Sequence, residues 1–211
     1  MENHRTIKQY GSHELIIKKS RFICTLARTE TEDEAQTFIE RIKKEHWKAT
    51  HNCSAYLING QTLIQRASDD GEPSGTAGVP ILEVLKKQKL QNVTAVVTRY
   101  FGGIKLGAGG LIRAYGKATS GALLEVGIVE KQLHQFISLS VSYPVSGKLQ
   151  NILEESKYMV HSVDYTDVVS FHCVIPVQET EYFKEEATNW TNGNVTFQNG
   201  KQAWIEVPVE N

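Results

Sequence analysis

Cysteine is scarce in this 211-residue chain. Cys24, Cys53 and Cys173 are odd in number, far apart and outside any CxxC pair. That excludes a disulfide framework and a zinc site of the paired-cysteine type, and it fits a reducing compartment. No run of about 18 apolar residues is present to cross a membrane. The first ten residues lack the apolar core of an export signal, so the expected location is cytoplasmic. There is no internal repeat, no low-complexity segment and no linker rich in Pro, Gly or Ser. The sequence calls for no cofactor and no metal, and it offers no complete catalytic set.

The small net charge of −1 conceals an asymmetry. Residues 1–132 carry 19 Lys and Arg against 14 Asp and Glu, whereas residues 133–211 carry 4 against 10. The halves therefore differ by 11 charges, +5 against −6. A basic half suits an acidic ligand such as RNA, and an acidic half suits a protein partner.

Periodicity divides the chain at the same place. In the first half, Ile7–Tyr10 and Glu14–Lys18 flank Gly11-Ser12 and predict a hairpin, and Arg21–Arg28 predicts a further strand. Thr31-Glu32-Asp33-Glu34 is a capping box, followed by Ala35, Phe38, Ile39 and Ile42 at helical spacing. Asn59-Gly60 between Cys53–Ile58 and Thr62–Ala67 predicts a second hairpin. A polar loop over Ser68–Gly78 leads to a helix from Pro80 to about Lys89. Beyond about Lys131 the order is strand, helix, strand, strand, helix, strand, which is the ferredoxin-like arrangement. The expected fold is α+β in two domains, residues 1–132 and 133–211.

The candidate site is the stretch Arg99 to Gly110. It holds Gly102, Gly103, Gly107, Gly109 and Gly110 between the apolar run Val93–Thr98 and a helix over Leu111–Val126. Glycines permit φ > 0 and close backbone approach, and the helix end adds unpaired N–H groups, a combination suited to anions. Arg99, Lys105, Arg113 and Lys117 supply cations, with Arg113 and Lys117 sharing a helix face. Tyr100, Phe101 and Tyr115 are candidates for stacking on bases or for the core. No Gly-Lys-Ser/Thr follows, so this is not a P-loop, and the spacing does not fit GxGxxG. Asp70 or Glu72 is placed to pair with Arg99 and brace the loop. With Asp69 these carboxylates also form a cation-like cluster, which a solvated turn explains equally well. His51 and Cys53 share one strand face, either as nucleophile and base or as a buried thiol beside a histidine.

Gly78, Ile81-Leu82, Leu85, Leu90, Val96-Val97, Arg99-Tyr100-Phe101-Gly102-Gly103 and Leu106-Gly107 resemble the signature of the IMPACT family, whose bacterial branch is called YigZ. Lys19-Ser20-Arg21-Phe22, Thr50-His51-Asn52-Cys53 and Asp69 to Gly78 support it. The resemblance implies a first domain like the second domain of ribosomal protein S-five, a sandwich with a left-handed β-α-β crossover. It implies a second domain like the last domain of elongation factor G. Eukaryotic relatives are translation regulators that bind a partner protein. The function so implied is non-enzymatic: binding RNA, the ribosome or a translation-related protein. The alternative is an enzyme or binder of a phosphate-containing small molecule using the glycine loop.

Overall fold

The computed structural model describes residues 3–60 and 62–209. The chain is an α+β protein with two antiparallel sheets, divided into two compact units. One unit comprises residues 4–130 with 207–209, and the other comprises Asn3 with residues 131–206.

In the first unit, β1 (His4–Ile7) precedes β2 (Gly11–Ile17) and β3 (Ser20–Arg28). The first hairpin lies one strand later than Gly11-Ser12 predicts. Gly11 and Ser12 pair inside β2 with Leu26 and Thr25, and the turn is Lys18-Lys19 between the paired Ile17 and Ser20. Both lysines have positive φ, 45° and 66°, as a two-residue primed turn requires. Gly11 is taken up by close packing instead, since a Cβ there would meet Val126 Cγ1 at 2.7 Å.

Helix α1 (Glu32–Glu45) begins where the capping box places it. Thr31 Oγ1 accepts from the Glu34 N–H at 3.1 Å, and Glu34 Oε2 accepts from the Glu30 N–H at 2.7 Å. Strands β4 (His51–Asn59) and β5 (Leu63–Ser68) form the second hairpin. Asn59 pairs with Leu63, so the connection is longer than an Asn-Gly turn, and its Gln61 lies outside the described residues. Then come α2 (Gly78–Lys87), β6 (Val93–Tyr100) and α3 (Ala108–Val126).

The sheet order is β2-β3-β6-β4-β5, with every neighbouring pair antiparallel. Helix α1 covers one face, packing Phe38, Ile39 and Ile42 on Tyr56, Ile58 and Val96. Helices α2 and α3 cover the other, packing Ile81, Leu85, Ala114 and Ala118 with Cys53, Ala55, Leu57, Val93, Ala95 and Val97. The central strands β4 and β6 are buried on both faces, which is why they read as continuous apolar runs rather than alternating ones. At the end of this unit Val209 donates its N–H to Ile128 O at 3.0 Å and packs against the same core.

The second unit contains β7 (Ile128–Val141, beginning in the first unit), α4 (Tyr143–Glu155), β8 (Met159–Tyr165), β9 (Val169–Pro176), α5 (Thr180–Trp190) and β10 (Thr196–Pro208, ending in the first unit). Strand β9 lies between β8 and β7, and β10 pairs with β7. Its core gathers Ile137, Leu139 and Val141 with Phe171, Cys173, Ile175, Leu149, Leu153 and Phe183.

Candidate functional site

The carboxyl end of β6 carries the site. The register sets Arg99 opposite Phe22 of β3 on one side and His51 of β4 on the other. Arg99 is only 5% exposed, and its guanidinium carbon lies 5.4 Å from the ring centroids of both Phe22 and Phe101. Its Nη1 donates to Glu72 Oε1 at 2.6 Å, and the same oxygen accepts from Tyr115 Oη at 2.7 Å. Glu72 is itself buried, so this is an ion pair with a third, neutral donor, all withdrawn from solvent. Arg99 Nε has no partner among the described residues.

Glu72 is delivered by a loop that Asp69 organises. The Asp69 carboxylate accepts N–H bonds from Gly75 at 2.8 Å, Ala77 at 3.0 Å and Gly78 at 2.9 Å. It thereby caps the start of α2 from nine residues upstream, where Ala77 has no side chain able to do so. Burial by itself would raise the Asp69 carboxyl, but the three N–H donors together hold it below its ordinary value. Asp70 lies beside it, accepting the Asn52 N–H at 2.7 Å and facing Lys43 Nζ at 3.2 Å. No three-residue group of metal-ligating type occurs among the described residues.

Asp69→Ala removes three charge-assisted bonds and leaves their donors short of partners, at an expected cost of about 2–4 kcal/mol. The pH dependence has a definite sign. A carboxyl held low in the folded state contributes fully above the ordinary aspartate range, and its contribution is lost as pH falls through and below about 4. Urea titrations at several pH values should show a shallower acid limb in the variant than in the parent chain.

His51 and Cys53 do not form a pair. His51 Nδ1 lies 2.8 Å from Asp70 O, and its Nε2 lies 3.8 Å from Glu72 Oε2. The Cys53 thiol donates to Asp69 O at 2.9 Å, and its sulfur is 3.3 Å from Tyr115 Oη. Burial pushes this thiol up to about 12, so it stays protonated and is no nucleophile. Burial likewise raises Tyr115, a fully buried core residue unable to stack on a base.

The glycines serve separate purposes. Gly102 allows close approach: a Cβ there would lie 2.1 Å from the carbonyl carbon of Lys19, and its N–H bonds Ser20 Oγ at 3.1 Å. Gly103 and Gly107 meet nothing, but have φ of 83° and 69°, so their role is conformational. Gly107 is the N-cap of α3, and its carbonyl takes the Leu111 N–H. Gly109 and Gly110 lie in the first turn. Lys105, Arg113 and Lys117 are exposed, and Phe101 is 46% exposed. Arg99 does not belong with these three cations on the surface. Thr50, His51, Glu72, Arg99, Lys105, Gly107 and Ala108 instead line one cleft of about 420 Å3 in front of the helix.

The Impact N-terminal domain model matches residues 18–123, half of the chain and the whole of this site. The chain belongs to the IMPACT family. A second model, a domain of unknown function (DUF1949), matches residues 139–194. The IMPACT family member YvyE of Bacillus subtilis is 52% identical, over 99% of this chain and 96% of that protein. YigZ of Escherichia coli is 34% identical, over 85% of this chain and 89% of that protein. The crystal structure of a hypothetical protein aligns with a TM-score of 0.59 at 32% identity, covering 93% of this chain and 97% of that one. Rat Protein IMPACT also matches, over 43% of this chain. No helix among the described residues is long and apolar enough to cross a membrane.

Proposed function

We propose that this IMPACT family member is a non-enzymatic RNA-binding protein that acts on translation, contacting the ribosome or its RNA through the glycine loop and the α3 end. The observation that carries this reading is the pair of exposed cations Lys105 and Arg113 at a helix N-terminus whose first-turn N–H groups precede the Leu111–Gly107 bond, with exposed Lys117 one turn beyond Arg113 on the same helix face. Phe101 adds an exposed ring at the same place. The acidic second unit is left for a protein partner. A small phosphate-containing ligand is the second reading, and the cleft beside the loop favours it.

The ribosomal and elongation-factor likenesses belong to the same proposal, and the topology supports them. The connections β3-α1-β4 and β5-α2-β6 each join parallel strands and step over one strand. They run in opposite senses across the sheet, on strands of opposite direction, with helices on opposite faces. Two such crossovers necessarily have opposite hand, so one is left-handed against the usual rule. In the second sheet β9 lies between β8 and β7, while β7 also pairs with β1 and β10, and the run β8-β9-β7-β10 supports the ferredoxin-like reading.

The test is salt dependence. A single-stranded RNA should bind at low salt, with log K falling linearly against log salt. Lys117→Ala should lower the slope by about 0.7 per contact removed and weaken all sequences alike. No RNA binding at low salt, or an unchanged slope after substitution of Lys105, Arg113 and Lys117 together, would refute the reading.

A further inference from the structure

The cleft in front of α3 is equipped for more than a passing backbone phosphate. Three groups meet there. The first-turn N–H groups of α3, beginning with Ala108, precede the Leu111–Gly107 bond and have no partner within the helix. Arg99, a second wall residue, is 95% withdrawn from solvent yet keeps an Nε–H with no partner. A buried donor left unpaired in this way calls for an acceptor that arrives from outside. Lys105 stands at the rim and is exposed. Glu72 offsets the charge of Arg99, so the excess positive potential comes from the helix end and Lys105.

The same cleft also holds groups of the reverse character, beside Arg99 itself. His51 Nδ1 donates to Asp70 O, and its Nε2 lies 3.8 Å from the carboxylate oxygen Glu72 Oε2. A carboxylate oxygen beside an imidazole nitrogen offers partners to hydroxyl groups, which both donate and accept. Phe101, whose ring lies against the Arg99 guanidinium, supplies an exposed ring surface in the same cleft. Donors for a terminal phosphate, partners for hydroxyls and a ring for stacking together describe a nucleotide.

We propose that this cleft binds a nucleoside monophosphate unit, its phosphate on the α3 end and Arg99 Nε and its sugar hydroxyls toward His51 and Glu72. The ligand is either a free mononucleotide or the phosphorylated 5′ end of an RNA. The proposal rests on reading the α3 end as an anion-recognising surface, but not on RNA being the ligand.

The test titrates the full chain with AMP and with adenosine, following the backbone amide resonances of residues 108–110. AMP should move them and adenosine should not. Gly109→Asp places a carboxylate in the first helical turn, where open space receives it and the helix end favours it, so the variant folds. Its affinity for AMP should fall at least tenfold, with thermal unfolding no lower than in the parent. A 5′-phosphorylated oligouridylate binding about tenfold tighter than its 5′-hydroxyl form assigns the site to RNA ends, and equal binding alongside AMP binding assigns it to free nucleotides. Silence of these amides at millimolar AMP, or unchanged affinity in Gly109→Asp, overturns the proposal. Binding of 5′-hydroxyl RNA with no response to AMP overturns this inference alone, whereas AMP binding without any RNA binding overturns the RNA reading alone.

Discussion

Glu72→Ala should cost about 3–5 kcal/mol of folding stability, enough to unfold a marginal domain near body temperature. The reason is what remains behind. Arg99 would keep its charge at 5% exposure with its ionic partner gone, and Tyr115 Oη would lose its acceptor in the core. Burying an unpaired charge is far more costly than never having had the pair. The double variant Glu72→Leu with Arg99→Met should therefore be more stable than Glu72→Ala alone, by about 2 kcal/mol. Urea denaturation of the parent, Glu72→Leu, Arg99→Met and the double variant closes the cycle. Additive losses would mean that the pair contributes no coupling.

Gly102→Ala should be as damaging for a different reason. Its new methyl would sit 2.1 Å from one Lys19 backbone atom, with the Ser20 nitrogen at 2.5 Å, and no side-chain rotation relieves backbone against backbone. The β2–β3 turn must move away from the end of β6, at an expected cost of about 3 kcal/mol or more. Gly103→Ala meets no atom and loses only its left-handed conformation, at about 1 kcal/mol. Gly109→Ala has open space, with Arg113 Nη1 at 3.8 Å, and should stabilise by about 0.5–1 kcal/mol. Thermal unfolding of the three variants should rank Gly102 lowest by a wide margin, and a Gly102→Ala chain as stable as the parent would refute the packing argument.

The sequence conveyed elements well where the signal was local. The capping box at Thr31 and Glu34 and the apolar spacing of α1 depend on residues within a few positions of each other. The first hairpin was misplaced because Gly11-Ser12 carries turn chemistry while the real turn, Lys18-Lys19, carries none. Two consecutive lysines at positive φ follow from the register of β2 on β3, which no local rule states. The site divides the same way. The exposed cations and glycines were visible in the stretch itself, and so was the choice of Asp70 or Glu72 as partner for Arg99. That Arg99 is buried, and that Tyr115 and Cys53 join the same network, required strand pairings and contacts 27 to 62 residues apart. The Asp69 cap on α2 was missed, although an aspartate before a glycine-rich loop and an uncapped helix start was the signal for it.

The bond from Val209 to Ile128 sets a timetable for the protein during synthesis. The first unit runs to residue 130, but its last contribution comes from residues 207–209, made only after all 76 residues 131–206 have been polymerised. At roughly 5–20 residues per second that is a wait of about 4–15 s. Throughout it the carbonyl of Ile128 lacks its partner and the core beneath Val209 stays uncovered. The nascent chain therefore passes through a state in which its first-made unit is assembled but not closed.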